Sequence, residues 1–77
     1  MGDKVYFLNR KIHRENGPAV KDINGTKEWY LNGRWHRIDG PAIEYADGTF
    51  RWYLNGKRIP CTTQLQFKRL MKLKAFW

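Results

Sequence analysis

Apolar residues along this 77-residue chain come in short bursts, separated at regular intervals by polar turn residues. "KEWYL", "AIEYA" and "FRWYL" are rich in aromatic and β-branched types, and such runs read as strands of about five residues. Around them stand Asn24-Gly25, Asn32-Gly33, Asp47-Gly48 and Asn55-Gly56. Each pair suits a type I′ hairpin turn, whose two central residues need positive φ. The pattern predicts a mainly β fold, an antiparallel meander of hairpins.

The hairpins repeat. A shift of 23 residues lays "YFLN" (Tyr6–Asn9) on "WYLN" at Trp29–Asn32 and again at Trp52–Asn55. The same shift lays "HRENGPAV" (His13–Val20) on "HRIDGPAI" (His36–Ile43), and "NGTKEW" on "DGTFRW". Self-similarity at a fixed period marks a repeat architecture. The units fall at about residues 5–28 and 29–51, with a partial third at 52–59 inside a repeat region of 1–60. The third stops because Ile59 and Pro60 stand where His-Arg stood before. Proline cannot donate to a ladder, so Pro18 and Pro41 belong at a strand start, an edge or a bulge. Gly-Pro therefore predicts a corner in every repeat. The flanking His-Arg and Asn or Asp are read as groups that satisfy the backbone there, with Asp39 able to pair with Arg37.

The period and the run "WYLNGRWHRIDGPAIEYADGT" resemble MORN repeats. The closer resemblance, over roughly residues 5–59, is to a MORN-like variant of the form LNG…HRxDGPA…DGT associated with bacteriophage and bacterial proteins. His-Arg stands where the MORN unit has His-Gly. The resemblance implies an elongated β-sheet scaffold used for binding, with a phage origin.

Beyond Pro60 the pattern changes. "TTQLQFKRLMKLKAFW" has no Gly, Pro, Asn or Asp, and residues 61–77 read as one amphipathic helix. Thr63 and Gln66 have capping-box spacing. Phe67, Leu70, Met71 and Lys74 fall on one stripe, extended by Leu73 and Trp77, while Lys68, Arg69 and Lys72 project from the other side. An open repeat array needs a cap, so the stripe is expected to pack on the last repeat and the basic side to meet a partner.

Charge sharpens this. Residues 1–48 hold eight basic and seven acidic side chains, a net +1, whereas residues 49–77 hold seven basic and none acidic. Nearly all of the +8 thus sits in the last 29 residues, an asymmetry that points to an acidic partner. The expected partner-binding set is Arg34, Trp35, Arg37, Lys57, Arg58, Lys68, Arg69, Lys72 and Lys74. Trp35 is placed there because it corresponds to Ile12 in the first copy, and it is expected to be exposed ahead of Trp29 or Trp52. An acidic host protein is the first partner expected. Nucleic acid held by phosphate contacts is the alternative, and an anionic membrane surface is a third. With 2.3 copies, fewer than the three or so a repeat array needs, homodimerisation through the open edge Val5–Leu8 is a further expectation.

No constellation for catalysis emerges. His13 and His36 hold equivalent positions about 10 Å apart in simple sheet geometry, too far for a dyad or a shared metal. The lone Cys61 has no paired histidine and excludes an internal disulfide. The carboxylates follow the repeat, and the glycines are hairpin glycines. The reading is a non-enzymatic protein with no metal or cofactor. The start "MGDKVYFLNRKIH" lacks the apolar core of a signal peptide. With no long apolar run and one unpaired cysteine, the expected setting is cytoplasmic, the host cytoplasm for a phage protein.

Overall fold

A computed structural model describes residues 3–73 of the chain. In chain order the strands begin β1 (Lys4–Val5), β2 (Phe7–Leu8), β3 (Lys11–Ile12), β4 (Val20–Lys21), β5 (Lys27–Glu28) and β6 (Tyr30–Leu31). They continue β7 (Arg34–Trp35), β8 (Ile43–Glu44), β9 (Phe50–Arg51), β10 (Tyr53–Leu54) and β11 (Lys57–Arg58), before helix α1 (Gln64–Leu73). All pairings are antiparallel. One five-stranded sheet has the order β1-β4-β5-β8-β9, and three separate hairpins, β2-β3, β6-β7 and β10-β11, stand beside it.

Each repeat therefore makes two hairpins, and the strands are shorter than the apolar runs predict. "KEWYL" is cut into β5 and β6, and "FRWYL" into β9 and β10. The cut falls on an aromatic residue whose two backbone groups serve different sheets. The Trp29 N–H donates to Ala42 O at 2.7 Å in the large sheet, while Trp29 O accepts from His36 N–H at 3.0 Å in its own hairpin. Tyr6 does the same with Ala19 O and His13 N–H. The chain thus turns at the aromatic as well as at Gly-Pro.

The turns divide into two kinds. Asn32-Gly33 and Asn55-Gly56 have positive φ at both residues, as a type I′ turn requires. At Asn24-Gly25 and Asp47-Gly48 only the glycine is positive, which corrects the sequence-based reading of all four pairs as type I′. Gly25 N–H donates to Asp22 O and Asp22 N–H to Thr26 O, the bonding of a three-residue loop closed by a glycine bulge. Asn24 Oδ1 and Asp47 Oδ1 each accept the N–H two residues on, at 3.0 Å. These two side chains serve as local acceptors and stay out of the left-handed region.

A further type I′ turn lies at Asn9-Arg10, with φ of 51° and 66°. Arg10 occupies the position that Gly33 and Gly56 hold in the later repeats, and a left-handed conformation costs a residue with a Cβ roughly 1–2 kcal/mol. Arg10→Gly is therefore expected to raise stability by about 1 kcal/mol, after allowance for the greater freedom of glycine in the unfolded chain. Thermal melts of the two proteins check this, and a lower melting temperature for the variant contradicts it.

The apolar interior gathers at the C-terminal end. Trp52, Leu54, Ile59 and Phe67 are buried together, with Cys61, Leu70 and Met71 packed at the margin. α1 closes the last repeat as its stripe predicts, except that Leu73 is 74% exposed. Six residues at ~100° each set Leu73 about 120° away from Phe67, off the buried face. Lys74 and Trp77 lie outside the described residues. The helix starts on Thr63, whose Oγ1 accepts the Gln66 N–H at 3.2 Å. Gln66 Oε1 accepts from Thr62 N–H at 2.8 Å, so the capping box closes one residue earlier than its usual form.

Candidate interaction surface

The twice-written His-Arg segment fastens neighbouring repeats together. His13 Nδ1 accepts the Asn32 N–H and His36 Nδ1 the Asn55 N–H, each at 2.9 Å. Arg14 N–H donates to Tyr30 O, and Arg37 N–H to Tyr53 O. Gly33 and Gly56 N–H donate back to Ile12 O and Trp35 O, both at 2.8 Å. Every hairpin is thus bonded to the next in one pattern, which is why the residues recur.

The arginine side chains serve the corner. Arg14 Cζ lies 4.2 Å from the Tyr6 ring centroid and Arg37 Cζ 3.8 Å from that of Trp29, the geometry of a cation–π contact. Their Nη1 groups donate to Pro18 O and Pro41 O. Gly40 makes room for this arrangement, because a Cβ there would come within 2.9 Å of Arg37 Cζ. Arg37 also meets Asp39 and Glu44, each at 2.9 Å. Its charge is spent inside the fold.

The other expected contact residues fall on different parts of the surface. Trp35 is half-buried in an aromatic row, 5.7 Å from Tyr30 and 4.9 Å from Tyr53. Its indole Nε1–H and the Tyr30 hydroxyl both donate to Glu28 Oε1. Burial, followed by the charge of Glu28, pushes the Tyr30 phenol up to about 12. Trp29 is half-buried like Trp35, and Trp52 is buried. Arg34, Lys57, Arg58, Lys68, Arg69 and Lys72 are exposed. Lys74 lies outside the described residues. Lys11, Arg34 and Lys57 hold one repeat position, and the first two lie against the turn glycines Gly33 and Gly56. Lys11 escapes a reading that weights the basic C-terminal third, although the 23-residue alignment marks it.

Burial also grades along the repeats. Tyr6 and Leu8 are exposed, Trp29 and Leu31 are half-buried, and Trp52 and Leu54 are buried. The gradient leaves a groove of about 540 Å³ on the second repeat, within the ~300–1,000 Å³ typical of ligand sites. Trp29, Leu31 and His36 line it, together with residues of the 14–17 and 37–39 corners. Ile38, at its margin, is 60% exposed where the first repeat has Glu15. Sequence reasoning missed the groove because it lies between copies.

Other chemistry is sparse. Burial pushes the Cys61 thiol up, with Arg58 pulling the other way. Among the described residues no cluster of three or more His, Cys, Asp or Glu could hold a metal ion, and no helix is long and apolar enough to cross a membrane. Comparison with family models, curated proteins and solved structures finds no match.

Proposed function

We propose that this chain is a non-enzymatic interaction module that binds and modulates an acidic protein through its repeat face and basic helix. The observation that carries the reading is the open groove over Trp29, Leu31 and His36, whose rim carries Arg14 and Arg37 together with the carboxylates of Glu15 and Asp39. An apolar floor suits a protein segment that carries an apolar anchor, and the net charge of +8, with Arg34, Lys57, Arg58, Lys68, Arg69 and Lys72 exposed, favours an acidic partner. Following the resemblance to phage MORN-like repeats, the partner is a host protein and the setting the host cytoplasm.

Nucleic acid is the competing ligand for a chain of net charge +8. It is less favoured at the row Tyr30, Trp35 and Tyr53, which is half-buried with the Glu28 carboxylate against it, whereas Tyr6, Phe7, Tyr45 and Phe50 are exposed. Base stacking needs exposed rings. The test is capture from lysate by the tagged full-length chain, in untreated and nuclease-treated halves washed at high salt. An acidic protein retained in both halves is the expected result. Loss of all captured material on nuclease treatment would transfer the function to nucleic acid.

A further inference from the structure

The two ends of the repeat array are finished differently. Between repeats, one copy offers a carbonyl, a histidine Nδ1 and an arginine N–H, and the next answers with two N–H groups and a tyrosine carbonyl. After the third hairpin Ile59 and Pro60 take the places of the histidine and the arginine. Isoleucine has no ring acceptor and proline no N–H, and Phe67 of α1 packs with Trp52, Leu54 and Ile59. This end cannot receive another copy in the same pattern, so head-to-tail growth is blocked.

The other end is open. Among the described residues β1 is the outer strand of the five-stranded sheet, paired with β4 alone. Tyr6 N–H donates to Ala19 O beside β4. Successive residues of a strand aim their backbone groups to alternate sides, so the Val5 N–H and C=O face away from the sheet. In the second repeat the matching carbonyl, Glu28 O, accepts from Ala19 N–H. Val5, Tyr6, Phe7 and Leu8 are all exposed, four apolar side chains in a row along this edge. The position of Val5 is charged in the later copies, as Glu28 and Arg51, and apolar only where the edge is open. Sheet edges are ordinarily shielded by charge, and Lys4 is the one charge on β1.

We infer that two copies of this chain join head to head through β1, antiparallel, with Val5 of each copy exchanging N–H···O=C bonds with Val5 of the other. A strand paired antiparallel with itself is two-fold symmetric and closes at two subunits. In this register each Lys4 falls opposite the Tyr6 of the other copy, and no like charges stand directly opposite. The large sheet continues from five strands to ten, and the repeat count passes the three or so that an array needs. Charge favours the same end, because residues 1–48 carry a net +1 and residues 49–77 carry +7. Four strand spacings of ~4.8 Å set β9 about 19 Å from β1, so the basic ends of the two copies lie several Debye lengths of ~8 Å apart. The dimer is independent of the acidic-partner reading.

Sedimentation equilibrium of the purified full-length chain tests it, at concentrations up to ~1 mM. The mass is expected to rise from 9.3 kDa toward twice that value. Val5→Glu and Val5→Arg put into β1 the residues native to that position in the second and third repeats, so both variants should fold. Like charges then face each other across the two-fold axis. Each variant alone should dimerise at least tenfold more weakly than the parent. An equal mixture of the two should recover the dimer, because Glu now faces Arg. Leu73→Glu, at the exposed end of α1, should dimerise like the parent. A parent that stays monomeric at ~1 mM, a single variant that dimerises as the parent does, a mixture no stronger than its components, or loss of the dimer in Leu73→Glu would each overturn the inference.

Discussion

Phe67→Ala is expected to lower the stability of the chain by about 3–5 kcal/mol, the usual cost of emptying a buried phenylalanine site. Phe67 is 1% exposed and its neighbours Trp52, Leu54 and Ile59 are almost as deeply buried. No other cluster in the described residues joins α1 to the repeats. A domain of this size is worth roughly 4–12 kcal/mol in all, from ~0.05–0.15 kcal/mol per residue. Losing this one side chain should therefore remove a large share of that stability and lower the denaturant midpoint markedly. Denaturant titration followed by tryptophan emission checks it, since Trp52 loses its cover when α1 leaves. A midpoint like that of the parent would mean that the helix is an appendage and the repeats are stable without it.

Stability is expected to fall as the pH drops below 6.5, because His36 must remain neutral. Its Nδ1 accepts the Asn55 N–H, and a protonated ring has no lone pair to offer. Burial also holds its pKa below the ordinary 6.5. For a histidine whose pKa is depressed in the folded state, the unfolded chain binds protons first on acidification. The stabilising contribution is thus full above pH 6.5 and is lost as the pH falls from there through the folded-state pKa. Asp47, held below its ordinary 3.8 by hydrogen bonds from Thr49, loses its contribution only in stronger acid, so the two windows separate. Urea midpoints at pH 7.5, 6 and 5 should decline for the parent and less for His36→Ile, the residue native to this position in the third repeat as Ile59. Identical slopes would remove His36 from the acid response.

Much of the scaffold is legible in the sequence because it is periodic. The 23-residue shift, the Asn-Gly turns at 32–33 and 55–56 and the helix with Phe67 on its buried side all follow from residue type and spacing. The misses have physical causes. Asn24-Gly25 and Asn32-Gly33 look alike as dipeptides, but Thr26 and Thr49 follow at the position where an Asn or Asp side chain captures the next-but-one N–H. That local bond selects the other turn. Asn9-Arg10 escaped notice because the turn is imposed by the fold against the preference of arginine. Arg37 looked available for a partner because charge is visible in a sequence, whereas stacking on Trp29 and pairing with Asp39 and Glu44 are not. The groove arises from subtraction: the third repeat has a helix over it and the second does not.

The measurement that bears most directly on the working surface is a proton–nitrogen spectrum of the full-length chain with the captured acidic partner, read at the tryptophan indole N–H signals. Trp29 and Trp52 hold equivalent repeat positions, and Trp52 is already bonded to Gln64. The expected result is a large shift of the Trp29 indole signal and its slower exchange with solvent, with the Trp52 signal nearly unchanged. A partner that binds while Trp29 stays still, moving only the backbone signals from Lys68 to Lys72, would contradict the groove and assign the contact to the basic helix alone.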